Sequence, residues 1–252
     1  MPQFSRGRYR ARLAKNAHDV EAAQRLRFAA FIAHRGVAGD GGRAEGIDAD
    51  HLDALCRHML VEERRSGRLV CCFRMMPLKT GAEIDRSYSA QFYDLVALRD
   101  YPGAMVEMGR FCIHPEVKDP DILRVAWGAM TNYVDDHGVE MLFGCSSFEG
   151  TEADSYMDAF ALLKARHIAP KRWLPRVKAP RIFAYGARPS IKRPDMKNAL
   201  SKMPPLLRTY LSMGGWVSDH AVVDPDMNTL HVFTGVEIKR VPKGRARLLR
   251  AI

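Results

Sequence analysis

Glu107 and Arg110 lie inside a run from Val106 to Glu116, Val-Glu-Met-Gly-Arg-Phe-Cys-Ile-His-Pro-Glu, that is otherwise apolar and strand-like. A carboxylate and a guanidinium are costly to bury unless they are paired or have a task. Gly109 between them suggests a bulge that breaks the period-two alternation of the strand. The residues alone leave two readings open. One is a structural ion pair, the commoner fate of a lone Glu and Arg; the other is a functional pair in a site.

The elements around this run decide what it can position. Asp119 or Pro120 opens a helix to about His137, stopped by Gly138, with Pro where a first turn tolerates it and Ile122, Trp127, Met130 and Val134 at helical spacing. A strand from Glu140 to Cys145 and a helix from about Glu152 to Arg166 follow.

Further motifs lie along the chain in a fixed order. Arg27 and Phe31 fall in the first helix, Asp50 and Asp53 precede a strand, and Arg74 lies in the next one. Then come Glu107-Met-Gly-Arg-Phe-Cys112, Asp119-Pro-Asp-Ile-Leu-Arg124, Met203-Pro-Pro-Leu-Leu-Arg208 and Asp224-Pro-Asp-Met-Asn-Thr229. In these residues, from Tyr9 to Phe233, the sequence resembles the L-ornithine N-alpha-acyltransferases of bacterial ornithine-lipid synthesis, relatives of the acyl-homoserine-lactone synthases.

The resemblance implies an α/β fold of the Gcn5-related N-acetyltransferase type, a mixed sheet flanked by helices, with a C-terminal extension. It implies transfer of a 3-hydroxyacyl chain, carried as a phosphopantetheine thioester on acyl carrier protein, to the alpha-amine of L-ornithine, giving lyso-ornithine lipid. No bound cofactor and no metal are expected. By resemblance Glu107 matches the acid of the Glu-x-x-Arg motif in the lactone synthases, and so becomes the expected general base, acting directly or through a water. Arg110 would orient it or the donor, and a backbone N–H near Gly109 would serve the oxyanion. Arg27, Phe31 and Arg74 are expected at the substrate.

Ornithine carries a second ammonium, which needs an acid. Asp50 with Asp53 is one candidate set, and Asp224, Asp226 and Asn228 form another, although Asp-Pro-Asp is more often simply a turn. The methionines at 75, 76, 105, 108, 130 and 141 suit a flexible acyl tunnel and equally an ordinary core. Coenzyme A users in this fold cradle the pyrophosphate with glycines at a helix start, and Phe111 to Trp127 contains none. That favours the carrier-protein donor. A lactone synthase or an acylator of another amino acid is the nearest alternative; a non-catalytic protein binding anionic membrane or nucleic acid is the alternative from another class. Gly36-Val37-Ala38-Gly39 replaces the aromatic expected after the first helix of a lactone synthase.

The 252 residues carry a formal charge of +10, with 27% charged and 47% hydrophobic residues, the balance of a soluble globular chain. Cationic residues concentrate in three places: Arg6, Arg8, Arg10 and Arg12, which one strand would align; a stretch around Trp173 that includes Arg172 and Arg176; and a tail containing Arg245, Arg247 and Arg250. An acidic carrier or the anionic inner-membrane surface fits such patches, as does a merely solvated surface. Nucleic acid is not expected, because no helix-turn-helix, ribonucleoprotein or zinc-finger pattern is present. The five cysteines form no Cys-x-x-Cys pair and read as free core thiols in a reducing compartment. Cys112 as a nucleophile lacks a readable base. No secretory signal or membrane span is readable, so a cytoplasmic protein is expected, held at most peripherally on the inner face of the membrane.

The rest reads coarsely. Strands are expected at Tyr9–Lys15, Ala54–Glu62 and Leu69–Leu78, a helix capped by Asp19 to about His34, and a Gly-rich lid from Arg35 to Asp50. Lys79–Tyr101 is irregular, with a short helix near Tyr93–Leu98. A helix opens at Pro204-Pro205, and a hairpin of Trp216–Val223 with Thr229–Ile238 precedes the tail, which Pro242 and Gly244 should keep irregular. Residues 1–187 are expected as the catalytic core and 188–252 as the extension.

Overall fold

The computed structural model describes residues 4–33, 46–188, 191 and 193–250. In chain order its strands and helices are β1 (Phe4–Arg6), β2 (Tyr9–Leu13), α1 (Ala17–Arg27), β3 (Arg57–Glu63), β4 (Leu69–Leu78), β5 (Tyr93–Asp94), β6 (Met105–Ile113), α2 (Pro120–Asp136), β7 (Met141–Glu149) and α3 (Met157–Arg166). These are followed by β8 (Arg176–Val177), β9 (Ile182–Phe183), α4 (Met196–Lys202), α5 (Pro205–Ser212), β10 (Trp216–Val217), β11 (Ala221–Asp224), β12 (Thr229–Glu237) and α6 (Lys243–Arg250). A π-helical segment, Phe28–Ala33, continues α1. Short 3-10 turns fill much of the stretch between β4 and β6.

The chain divides into two compact units. The first comprises residues 1–77, 108–139 and 243–252, and the second residues 78–107 and 140–242. The expected boundary at residue 187 falls inside the second unit, because β11 from the expected extension pairs with β9 ahead of it, Ala221 opposite Phe183.

In the first unit the strands run in the order β1-β2-β3-β4-β6. Gly7, at φ 57°, turns β1 back on β2, so the four arginines do not share one strand. Arg10 and Arg12 pair with Glu62 on β3 at 2.9 and 2.6 Å, and Arg12 also with Asp19 at 2.6 Å. The cationic stripe is therefore largely an internal ion-pair ladder.

α2 starts where the sequence says it should. The Asp119 side chain accepts the Asp121 N–H, Pro120 occupies the first turn, and Ile122, Val125, Ala126, Ala129, Met130 and Tyr133 are buried. Gly128 sits on that buried face because a Cβ there would meet the Phe4 ring at 2.4 Å. α1 is capped by Asn16, with Asp19 three residues in, where it accepts the Lys15 N–H. Ala23, Leu26, Leu60, Cys72 and Cys112 form a core cluster here, with Phe31 packed against it.

In the second unit the order is β6-β7-β12-β11-β9, with β10 also on β12. β6 meets β7 in parallel from Met105 opposite Met141 to Glu107 opposite Phe143. β12 pairs antiparallel with the whole of β7, from Thr229 opposite Glu149 to Glu237 opposite Met141. α3 packs on this sheet through Ala159, Phe160 and Leu163, in a cluster with Phe148, Leu230 and Val232. A separate two-stranded piece joins β5 to β8. The six methionines named above are all buried.

Candidate active site

The first unit gathers five of the expected site residues. Arg27, at the end of α1 and only 1% exposed, forks onto Asp53, with Nη1 and Nη2 each 2.8 Å from a carboxylate oxygen, and its Nε lies 3.2 Å from Asp48. Nη2 also donates to the Asp48 carbonyl. Arg74 on β4 donates from Nη1 to Asp50 at 2.6 Å and to Asp53 at 2.9 Å, and Gln24 adds a third partner to Asp53. Arg110 approaches from β6, its Nε 3.2 Å from Asp48 and its Nη2 3.8 Å from Asp50.

Three guanidiniums thus meet three carboxylates. The outer members are Arg110 and Asp50, whose side chains keep 12% and 23% of their exposure, whereas Asp53 is enclosed by its partners. Burial works against the Asp53 charge, but the hydrogen bond and charge of Arg27 outweigh it and hold the carboxyl far below its ordinary range. Asp50 moves the same way, with burial opposed and overcome by Arg74, and burial of the Arg74 guanidinium is likewise overcome by Asp50. Arg110 takes φ 51°, a left-handed conformation strained for a non-glycine residue. This left-handed residue directly follows Gly109.

Glu107 belongs to the second unit and is set differently. Its Oε2 accepts the Tyr88 N–H at 2.7 Å, and its Oε1 accepts the Ser89 N–H at 2.7 Å and the Ser89 hydroxyl at 2.6 Å. The Ser89 Oγ is also 3.5 Å from Cys145 Sγ on β7. One turn thus wraps a buried carboxylate in neutral donors, suited to an anion. The turn is itself fastened to the basic segment around β8, since Lys178 Nζ donates to Ala90 O at 2.6 Å and Ala179 N to Phe92 O at 3.0 Å.

Asp224, Asp226 and Asn228 form the β11–β12 turn. Asp224 accepts the Met227 N–H at 3.1 Å, Asp226 is exposed, and Asn228 adopts φ 47°. Arg172 lies over Trp173 at 5.0 Å and 3.5 Å from Glu237, while Arg176 is exposed on β8. On α6 Arg250 forks onto Asp135 of α2 at 2.7 and 2.9 Å, Arg245 is half-buried and Arg247 exposed. The expected lid lies, up to residue 45, outside the described residues.

Sequence reading missed Asp48, Gln24 and Ser89. The acidic spacing Asp48, Asp50, Asp53 was a usable signal; nothing local marked Ser89.

Comparison with known proteins identifies the family. Residues 26–128 match the acetyltransferase (GNAT) domain family. The L-ornithine N(alpha)-acyltransferase of Rhodobacter capsulatus is 34% identical over 230 residues, covering 89% of this chain and 88% of that protein. This chain belongs to the L-ornithine N(alpha)-acyltransferase family. The enzyme of the same name from Brucella abortus is 30% identical, over 93% of this chain and 86% of that one. Among solved structures, a CoA-dependent acyl-homoserine lactone synthase with SAM and isopentyl-CoA aligns over 96% of this chain and 86% of its own, at a TM-score of 0.50 and 16% identity. That likeness is one of fold, the mixed sheet flanked by helices.

An N-acyltransferase needs an acyl donor. Among the described residues no group of three or more His, Cys, Asp or Glu is placed to hold a metal, and no helix is long and apolar enough to cross a membrane.

Proposed function

We propose that this enzyme transfers a 3-hydroxyacyl chain from acyl carrier protein to the alpha-amine of L-ornithine, forming lyso-ornithine lipid. The observation that carries the reading is the outer edge of the arginine–aspartate cluster, where Asp50 and Arg110 stand together. One carboxylate beside one guanidinium complements an amino acid that brings a carboxylate and an extra ammonium. The names of the relatives point to the same acceptor.

In this reading the amine nitrogen attacks the thioester carbon, the C–N bond forms, and the C–S bond breaks as the thiol leaves with a proton. Glu107 receives the amine proton, directly or through a water. The N–H near Gly109 faces the oxyanion. Asp50 takes the ornithine side chain in preference to Asp53, which is committed to Arg27, and in preference to the Asp224, Asp226 and Asn228 turn. Arg27 and Arg74 hold that carboxylate framework, and Phe31 backs it. Arg172 and Arg176 meet the acidic carrier, and Arg245, Arg247 and Arg250 face the anionic inner-membrane surface, with the enzyme otherwise in the cytoplasm.

The test is to incubate the pure protein with 3-hydroxyacyl carrier protein and a panel of amino acids and to weigh the products. An acylated ornithine that dominates the panel is the expected result. Acyl transfer to homoserine or another amino acid instead, or equal use of the same chain on coenzyme A, would refute the acceptor or the donor half respectively.

A further inference from the structure

The turn that clamps Glu107 continues into a second buried polar group that the proposed chemistry leaves unused. His231 on β12 is 2% exposed, and its Nδ1 lies 3.1 Å from the Tyr93 hydroxyl. That hydroxyl gives its only proton to the His231 carbonyl at 2.7 Å. With that proton on the carbonyl, we assign Nδ1 as the donor in the first contact, which leaves the lone pair on Nε2. Nε2 is buried and has no hydrogen-bond partner. An acceptor left in that state costs stability unless something else fills it.

The surroundings say what kind of group that is. The Phe92 ring stands edge-on to His231 at 5.0 Å, Tyr93 packs at 5.6 Å, and Phe233 extends the aromatic wall 5.7 Å from Tyr93. Phe92 is itself only half-buried. A buried ring nitrogen among aromatic rings, with the likewise unpartnered His220 Nε2 on the other ring beside Tyr93, suits a mostly apolar ligand bearing a hydroxyl. Burial lowers the His231 pKa to about 4, aided by His220, so the ring stays neutral and accepting at ordinary pH.

We propose that His231 Nε2 accepts the 3-hydroxyl of the acyl donor, making His231 a specificity-determining residue for the hydroxylated chain. The inference rests on the acyl-transfer reading above. A 3-hydroxyl lies two carbons from the thioester carbonyl, so its reader must belong to the same small region as the reacting groups. Residues 88 to 93 link the two groups: Tyr88 and Ser89 hold Glu107, and Phe92 and Tyr93 hold His231. A site built around a hydrogen bond discriminates strongly against a chain that lacks the partner, because the buried acceptor is then left unfilled.

The test compares kcat/KM for 3-hydroxyacyl and unsubstituted acyl chains of equal length on the carrier protein, with ornithine as acceptor. The wild type should favour the hydroxylated chain by about tenfold or more. His231→Phe should erase the preference while keeping the rate with the plain chain. Tyr93→Phe, which releases the tautomer, should reduce it, and His220→Phe should leave it. Should His231→Phe fail to fold, the wild type labelled with 15N-histidine supplies the answer. Its unprotonated His231 nitrogen resonance should shift with 3-hydroxyacyl-pantetheine and not with acyl-pantetheine. Equal use of both chains by the wild type, a preference that survives in folded His231→Phe, or loss of it in His220→Phe alone would overturn the assignment while leaving ornithine acylation standing. Absence of acyl-ornithine with either chain would instead overturn the acyl-transfer reading.

Discussion

The two units bury charge by opposite means. In the first, Arg27, Arg74 and Arg110 meet Asp48, Asp50 and Asp53, so each ion is held by ions of the other sign. In the second, Glu107 is held by two backbone N–H groups and one hydroxyl. An ionic cluster is rigid but brittle, since removing one member strands its partners in a poorly solvating interior. A carboxylate wrapped by backbone dipoles keeps its place when one side chain is lost. In the proposed reading that difference is a separation of a frame from a working group.

The largest expected effect follows from that separation. Glu107→Gln should lower kcat by roughly a hundredfold to ten-thousandfold, the ordinary worth of general-base assistance, with the fold retained by circular dichroism. Near-wild-type turnover at saturating substrates would make Glu107 a structural group and erase the contrast.

Arg27→Met tests the other side. It should cost about 3–5 kcal/mol in urea unfolding, because Asp53 loses its forked partner. A loss under 1 kcal/mol would show that Arg74 and Gln24 hold Asp53 unaided. Ser89→Ala should be far milder, about 1 kcal/mol, since the Tyr88 and Ser89 N–H groups remain on Glu107. A cost equal to that of Arg27→Met would mean the dipole clamp is as brittle as the ionic one.

The smallest effect is a pH profile. The Asp19 carboxyl is lowered to about 2, chiefly by its hydrogen bond from Arg12. Because that lies below its unfolded value of about 3.9, the pair stabilises the fold fully above that value. The contribution is lost as pH falls through the interval down to about 2. Asp19→Asn should flatten the melting temperature against pH in that window, and an unchanged slope there would remove Asp19 from the acid response.

Much of the frame was legible because its signals are local. The Asp119-Pro120 cap and the spaced apolar residues gave α2, and β4 fell on Leu69–Leu78 as read. Glu107 and Arg110 were visible because charge in an apolar run is itself anomalous. Local signals also misled. Asp19 resembles a cap but sits inside a helix that Asn16 caps. Pro242 and Gly244 suggested an irregular tail, yet a proline just ahead of a helix is harmless and α6 forms behind it. The short polar helix α4 carried too few apolar positions to be seen. Ser89 reaches Glu107 across 18 residues, and Tyr93 meets His231 across 138. No sequence window spans the second of these.

The nine-residue pairing of β12 with β7 has a consequence for how the protein is made. Strand β7 leaves the ribosome roughly 80 residues before its partner, at a synthesis rate of about 5–20 residues per second, so it waits for several seconds with one edge bare. The second unit can close only when nearly the whole chain has emerged. A messenger truncated near residue 187 would therefore yield an aggregating fragment in place of a working core, and chaperone demand should peak late in translation.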